Sequence, residues 1–220
     1  MRPIAGTIIL LVAFWASFAQ SKPELIDYFG VVNNDTLLAH VDYLWNQLKD
    51  GSQGVVILTG KPLENYLNKR RIEGCNLMSR YPKDSLIFVF EADDRKDRLV
   101  EFWKVPKDSL GEKKFAPTKP DYSLPGLEHP FELTASMFDD EFCPRHFDIS
   151  WYSNFLRGNP TFTGKAVFDT KTNGDFLRRV AKYRQKLKGE GIDIGRVHFL
   201  RKHFNGETEE QFWLIPPNKK

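Results

Sequence analysis

Asp139, Asp140, Glu141, Cys143 and His146 fall within eight residues and are the densest group of potential ligands in the chain. The carboxylates would suit a hard cation, whereas Cys143 and His146 would suit zinc. Their spacing matches no metal motif, and acids also gather at helix entries, where the partial positive charge of the first turn favours them. Cys143 beside His146 further offers a thiol near an imidazole. Such a nucleophile needs a lowered thiol pKa and a positioned base, and no oxyanion hole or third partner is specified. A metal-dependent hydrolase centred on Asp139, Asp140, Cys143 and His146 therefore stands as an alternative function, with no metal or cofactor assigned.

A second concentration is Arg178, Arg179, Lys182, Arg184, Lys186 and Lys188. An anionic polymer or a membrane surface would satisfy it. It also reads as the polar side of an amphipathic helix whose apolar side is Phe176, Val180, Tyr183 and Leu187. The net charge of +3 is too mild to argue for nucleic acid. The chain has no phosphate loop, dinucleotide fingerprint or serine nucleophile elbow, so no cofactor is expected. Asn34-Asp35-Thr36 is a formal glycosylation sequon, relevant only in a eukaryotic host.

The elements that would position these groups repeat. Phe102-Trp103-Lys104-Val105-Pro106 is followed 110 residues later by Phe212-Trp213-Leu214-Ile215-Pro216, and Gly54 and Gly164 keep the same offset. A fixed period points to tandem copies of one module. In copy one, Thr36 to Leu48 has helical spacing, with Asp35 or Thr36 as cap. Gly54 to Thr59 is an apolar strand, Pro62 opens a second helix running to about Arg80, Ser85 to Glu91 is another apolar strand, and Leu99 to Val105 returns antiparallel. Leu63, Leu67, Cys75 and Met78 should face inward. Copy two repeats this order with a helix at Phe147 to Leu156, strands at Lys165 to Asp169 and Arg196 to Leu200, a long helix after Gly174, a hairpin at Asn205-Gly206 and a return at Glu210 to Ile215. Short strands at Leu25 to Phe29 and Phe131 to Leu133 precede the two units. Adjacent aromatic pairs in the last strands, Phe102-Trp103 and Phe212-Trp213, should place one ring in the core and one on the other face. The expected fold is α/β, with a mixed sheet in each of two tandem modules, 22–109 and 127–217. Residues 110–126, rich in lysine and proline, read as a semi-extended linker.

The N-terminus reads as a secretory signal over residues 1–19, with Arg2, an apolar run from Ile8 to Trp15, and small residues at Ser17 and Ala19. The run is short for a ~20-residue membrane span. In an exported protein, Cys75 and Cys143 could form one disulfide between the copies or remain as thiols.

The long helix of copy two and the segment after it resemble the C-terminal domain of outer-membrane protein A. The residues that carry this are Arg179-Val180, Tyr183, Lys186-Leu187 and Gly191-Ile192-Asp193, then the strand from Arg196. In copy one, Leu67-Asn68-Lys69-Arg70-Arg71-Ile72 is similar. The whole module also looks like exported bacterial modules of unknown function, through Asn159-Pro160, Gly164, Gly191-Ile192-Asp193 and Phe212-Trp213-Leu214-Ile215-Pro216-Pro217. In the outer-membrane family an aspartate and a helix arginine hold the diaminopimelate of peptidoglycan. The resemblance implies Asp169 and Arg179 for those roles, with Arg71 (or Arg70) in copy one, where Thr59-Gly60-Lys61 has no aspartate. The expected function is an exported, periplasmic or secreted, non-catalytic envelope protein that binds or scaffolds, with peptidoglycan or another anionic envelope polymer as partner. A module that binds a partner protein, such as another envelope protein, is a further alternative.

Overall fold

The computed structural model describes residues 22–48, 51–79, 81–82, 85–92, 99–134, 147–203 and 209–217. The proposed signal segment lies outside them, as do the Asp93–Asp97 and Asn205-Gly206 turns. Module one contains β1 (Glu24–Phe29), α1 (Asn34–Gln47), β2 (Gln53–Gly60), α2 (Pro62–Met78), β3 (Leu86–Ala92) and β4 (Leu99–Val105). Module two contains β5 (Phe131–Glu132), α3 (Ile149–Gly158), β6 (Thr163–Thr170), α4 (Asn173–Gly189), β7 (Val197–His203) and β8 (Glu210–Ile215). Each module has one mixed four-stranded sheet, and the strand orders β1-β4-β2-β3 and β5-β8-β6-β7 are the same topology. The middle strand pairs in parallel with the strand after the long helix and antiparallel with the last strand.

The registers explain the sequence period. Gln53 sits opposite Val105 and Thr163 opposite Ile215, so the central pair keeps the 110-residue offset. Gly54 and Gly164 recur because the first helix lies against the start of the central strand. A Cβ on Gly54 would stand 2.7 Å from Leu86 and 2.9 Å from Leu48, and one on Gly164 would overlap the Tyr152 hydroxyl.

Helix entries follow short side chains rather than the apolar run. Asn33, not Asp35 or Thr36, caps α1, its Oδ1 accepting from the Thr36 amide at 2.8 Å. An asparagine outside the helix can reach that amide, which residues already in the first turn cannot. α4 is capped by Thr172. Leu37, Val41 and Leu44 of α1, with Val56, Leu58, Val100 and Phe102 of the sheet, form one core. A second core gathers Tyr152, Phe155, Phe168, Val180, Tyr183, Leu187 and Phe212. Phe102 and Phe212 are thus the core members of their pairs. Trp103 and Trp213 occupy the opposite faces, with Lys114 3.8 Å above the first ring and Lys165 4.3 Å above the second.

Two features depart from the expectations of the sequence. Within residues 110–126 one side chain anchors the segment to module one: Phe115 is buried with Val55, Ile57, Val89 and Val105 on the sheet face opposite the helices. Thr118 Oγ1 accepts from the Phe90 amide at 2.5 Å and donates to its carbonyl at 3.3 Å, fastening the outer edge of β3. Met78 is 46% exposed, and Leu63 and Leu67 turn toward module two. Between them Tyr66 is buried in that module's core, 4.9 Å from Phe155 and 5.8 Å from both Tyr122 and Trp151. Arg70 stacks over Trp151 at 3.3 Å. The two modules therefore meet through an aromatic joint built on α2. No described helix is long and apolar enough to cross a membrane.

Candidate functional site

In mixed sheets the carboxyl ends of parallel strands are where loops and helix starts converge on a ligand. In module two that end comprises Asp169 and Thr170 of β6, the start of α4, Arg201 and Lys202 of β7, and Glu209 and Glu210 leading into β8. Asp169 is 1% exposed, and neither carboxyl oxygen has a hydrogen-bond partner among the described residues. Its amide donates to the Glu209 carbonyl at 3.0 Å, so only the side chain is unsatisfied. The adjacent Thr170 hydroxyl is also buried without a partner among the described residues. Few native buried polar groups are left unpaired, and those that are call for an explanation.

Asp169 and Arg179 are not joined. Arg179 instead donates to Glu210, which also accepts from the Tyr183 hydroxyl. Burial pushes the Tyr183 phenol well above its ordinary value, and the hydrogen bond to Glu210 and that carboxylate's charge add to the rise. Arg201 braces the turn into α4 by donating to the Thr170 carbonyl at 3.2 Å and the Lys171 carbonyl at 3.0 Å. Lys202 lies 3.5 Å from Glu209.

Module one supplies an internal comparison. The connection before α2 is Lys61 alone, whereas Lys171 and Thr172 precede α4, so helix positions are offset by 111 residues. Arg179 then corresponds to Asn68, Tyr183 to Ile72 and, by register, Glu210 to Val100. Thr59 stands where module two has Asp169. Buried Ile72 and Val100 belong to the apolar core of module one, at positions where module two has an ionic and phenolic network. Arg71 is thus not the counterpart of Arg179; its position matches Lys182. Its guanidinium donates to Asn34 Oδ1 at 2.7 Å and the Val32 carbonyl at 2.6 Å, tying α2 to the entry of α1.

Asp139, Asp140, Glu141, Cys143 and His146 lie outside the described residues. Among the described residues no group of three or more histidine, cysteine or acidic side chains is placed to hold a metal. Cys75 is buried and disulfide-bonded; Cys143, the other cysteine in the sequence, is outside the described residues.

Two polar anchors carried no usable sequence signal. His40 Nδ1 meets Asp27 Oδ2 at 2.5 Å while its ring stacks on Phe29 at 4.2 Å, fastening α1 to β1. Arg196 donates to the carbonyls of Leu156, Asn159 and Phe162, each at 2.8 Å, closing the end of α3 onto β7. Both join residues remote in sequence, and neither forms a motif. No protein-family model, curated protein or solved structure matches this chain.

Proposed function

We propose that this is an exported, non-catalytic binding protein of the cell envelope, in which module one is a scaffold and module two holds the ligand. The observation that carries the reading is Asp169: a buried carboxyl group without a partner among the described residues, at the carboxyl end of the central strand, where module one has Thr59. A fold that accommodates Thr59 there does not need an acid. The surrounding changes run the same way, since Arg179, Tyr183 and Glu210 replace Asn68, Ile72 and Val100. Peptidoglycan is the proposed partner, with Asp169 accepting from a cationic or amide group of the stem peptide. Arg179 acts indirectly, by fixing Glu210 and the start of β8. The test is co-sedimentation of the purified protein with insoluble peptidoglycan beside Asp169→Asn and Arg179→Ala variants. Pelleting abolished by Asp169→Asn and weakened by Arg179→Ala supports the reading. Pelleting equal in all three, or absent in the unmodified protein, removes it.

A further inference from the structure

The outward surface of α4 is charged beyond anything its fold requires. α2 and α4 are both 17 residues long and cross between the same pair of strands. Yet α2 holds three basic and two acidic residues, whereas α4 holds six basic and one acidic. In α2 those charges are used internally: Lys69 and Arg70 pair with Glu73, and Arg71 holds the entry of α1. In α4 only Arg178, with Asp175, and Arg179, with Glu210, are so engaged. Lys182, Arg184, Lys186 and Lys188 are exposed and make no ion pair among the described residues.

This arrangement costs the isolated helix stability. Arg178 and Lys182, Lys182 and Lys186, and Arg184 and Lys188 are like charges four residues apart, a spacing that brings them together on the helix surface. Residues 173–203 carry nine basic and three acidic side chains, net +6, so the rest of the chain is net −3. The strip begins beside Lys171, Arg201 and Lys202 and stops at Glu190 and Asp193. From Arg178 to Lys188 it runs about 15 Å, with successive charges in a row about 6 Å apart.

We propose that this strip binds a linear phosphate-bearing polyanion laid along α4, at a place separate from Asp169. The basic groups spread around the exposed half of the helix. Arg184 lies 5.5 Å from the Phe199 ring on the β7 side, and Lys182 lies 5.6 Å and Lys186 6.0 Å from Tyr183. Arms on both flanks can close around a chain lying on the ridge, whereas a flat bilayer would meet one side of it. Leu177, at 57% exposure, is the one large apolar side chain exposed on the described helix, so little is available to insert into lipid.

The experiment is fluorescence anisotropy of end-labelled inorganic polyphosphate with the full chain. It is repeated on a Lys182→Gln, Arg184→Gln, Lys186→Gln, Lys188→Gln variant and on Asp169→Asn, with flotation on phosphatidylglycerol vesicles in parallel. The expected result is binding that weakens steeply with salt, as screened surface charges require. The quadruple variant should bind at least tenfold more weakly while melting at the same or a higher temperature. Asp169→Asn should bind polyphosphate like the unmodified protein, so this outcome is independent of the peptidoglycan result. No polyphosphate binding, equal binding by the quadruple variant, or capture by vesicles without polyphosphate binding would each overturn the proposal.

Discussion

Replacing Asp169 with asparagine should make the protein more stable and, on the proposed function, less able to bind. The side chain is 1% exposed and neither oxygen has a partner among the described residues. An unpaired buried polar group costs about 1–3 kcal/mol, and more when charged. Asparagine keeps the shape without the carboxyl group, but its amide would still lack a partner among the described residues, so only part of that cost returns. A gain of about 1–2 kcal/mol is expected. For a chain of this size each kcal/mol moves the melting temperature by about 2–4 °C, giving a rise of roughly 2–8 °C. Differential scanning calorimetry at neutral pH reads this directly, with near-ultraviolet circular dichroism to confirm native packing. A melting temperature lowered by several degrees would mean that the carboxylate holds the native state together. The case for a group kept at the expense of stability would then fail.

Three further outcomes rest on the packing. Gly164→Ala should destabilise by about 1–3 kcal/mol through overpacking, and Tyr152→Phe, which removes the overlapped hydroxyl, should recover part of that loss in a double-mutant cycle. Phe115→Ala should cost about 3–5 kcal/mol and shift Trp103 emission to the red, because 110–126 would no longer cover its sheet; an unchanged denaturant midpoint would mean that the segment is a tether after all. Tyr66 and Tyr152 are buried and their phenols are pushed well above 10.0. The folded state therefore keeps protons that the unfolded state releases. Their stabilising effect is complete below pH 10 and falls as pH rises beyond it, by roughly 2–3 kcal/mol per pH unit for the two together. Chemical denaturation between pH 8 and 11.5, with phenolate absorbance monitored in parallel, checks both the sign and the onset.

How much of this was legible in the sequence depended on whether a signal was local. Helical spacing around Leu37, Val41 and Leu44, the apolar run of β2 and the Phe-Trp pairs report their own surroundings, and the order of elements could be read from them. The glycine period was visible too, although its cause, the approach of Leu48 and Tyr152, was not. Long-range choices left no trace. Tyr66 looks like any inward residue of α2, and nothing local says that the core it enters belongs to the other module. Phe115 is one aromatic in a lysine- and proline-rich stretch whose composition suggests solvent. Asp169 and Arg179 were named only through the family resemblance, and the partner of Arg179 is Glu210, 31 residues on, which nothing local in the sequence indicates. Arg71 was named through the resemblance over residues 67–72, yet on the 111-residue helix offset its place is that of Lys182, and Asn68 has the place of Arg179.

On the proposed function, ligand contact is confined to module two, whose sheet end is polar where that of module one is apolar. Hydrogen–deuterium exchange of the purified protein, with and without soluble peptidoglycan fragments, tests it most directly. Slowed exchange is expected at the end of β6, the first turns of α4 and the start of β8, with the corresponding backbone of β2, α2 and β4 unchanged. Protection at Thr59 to Asn68 and Val100 instead, or no protection anywhere at saturating fragment, would contradict it.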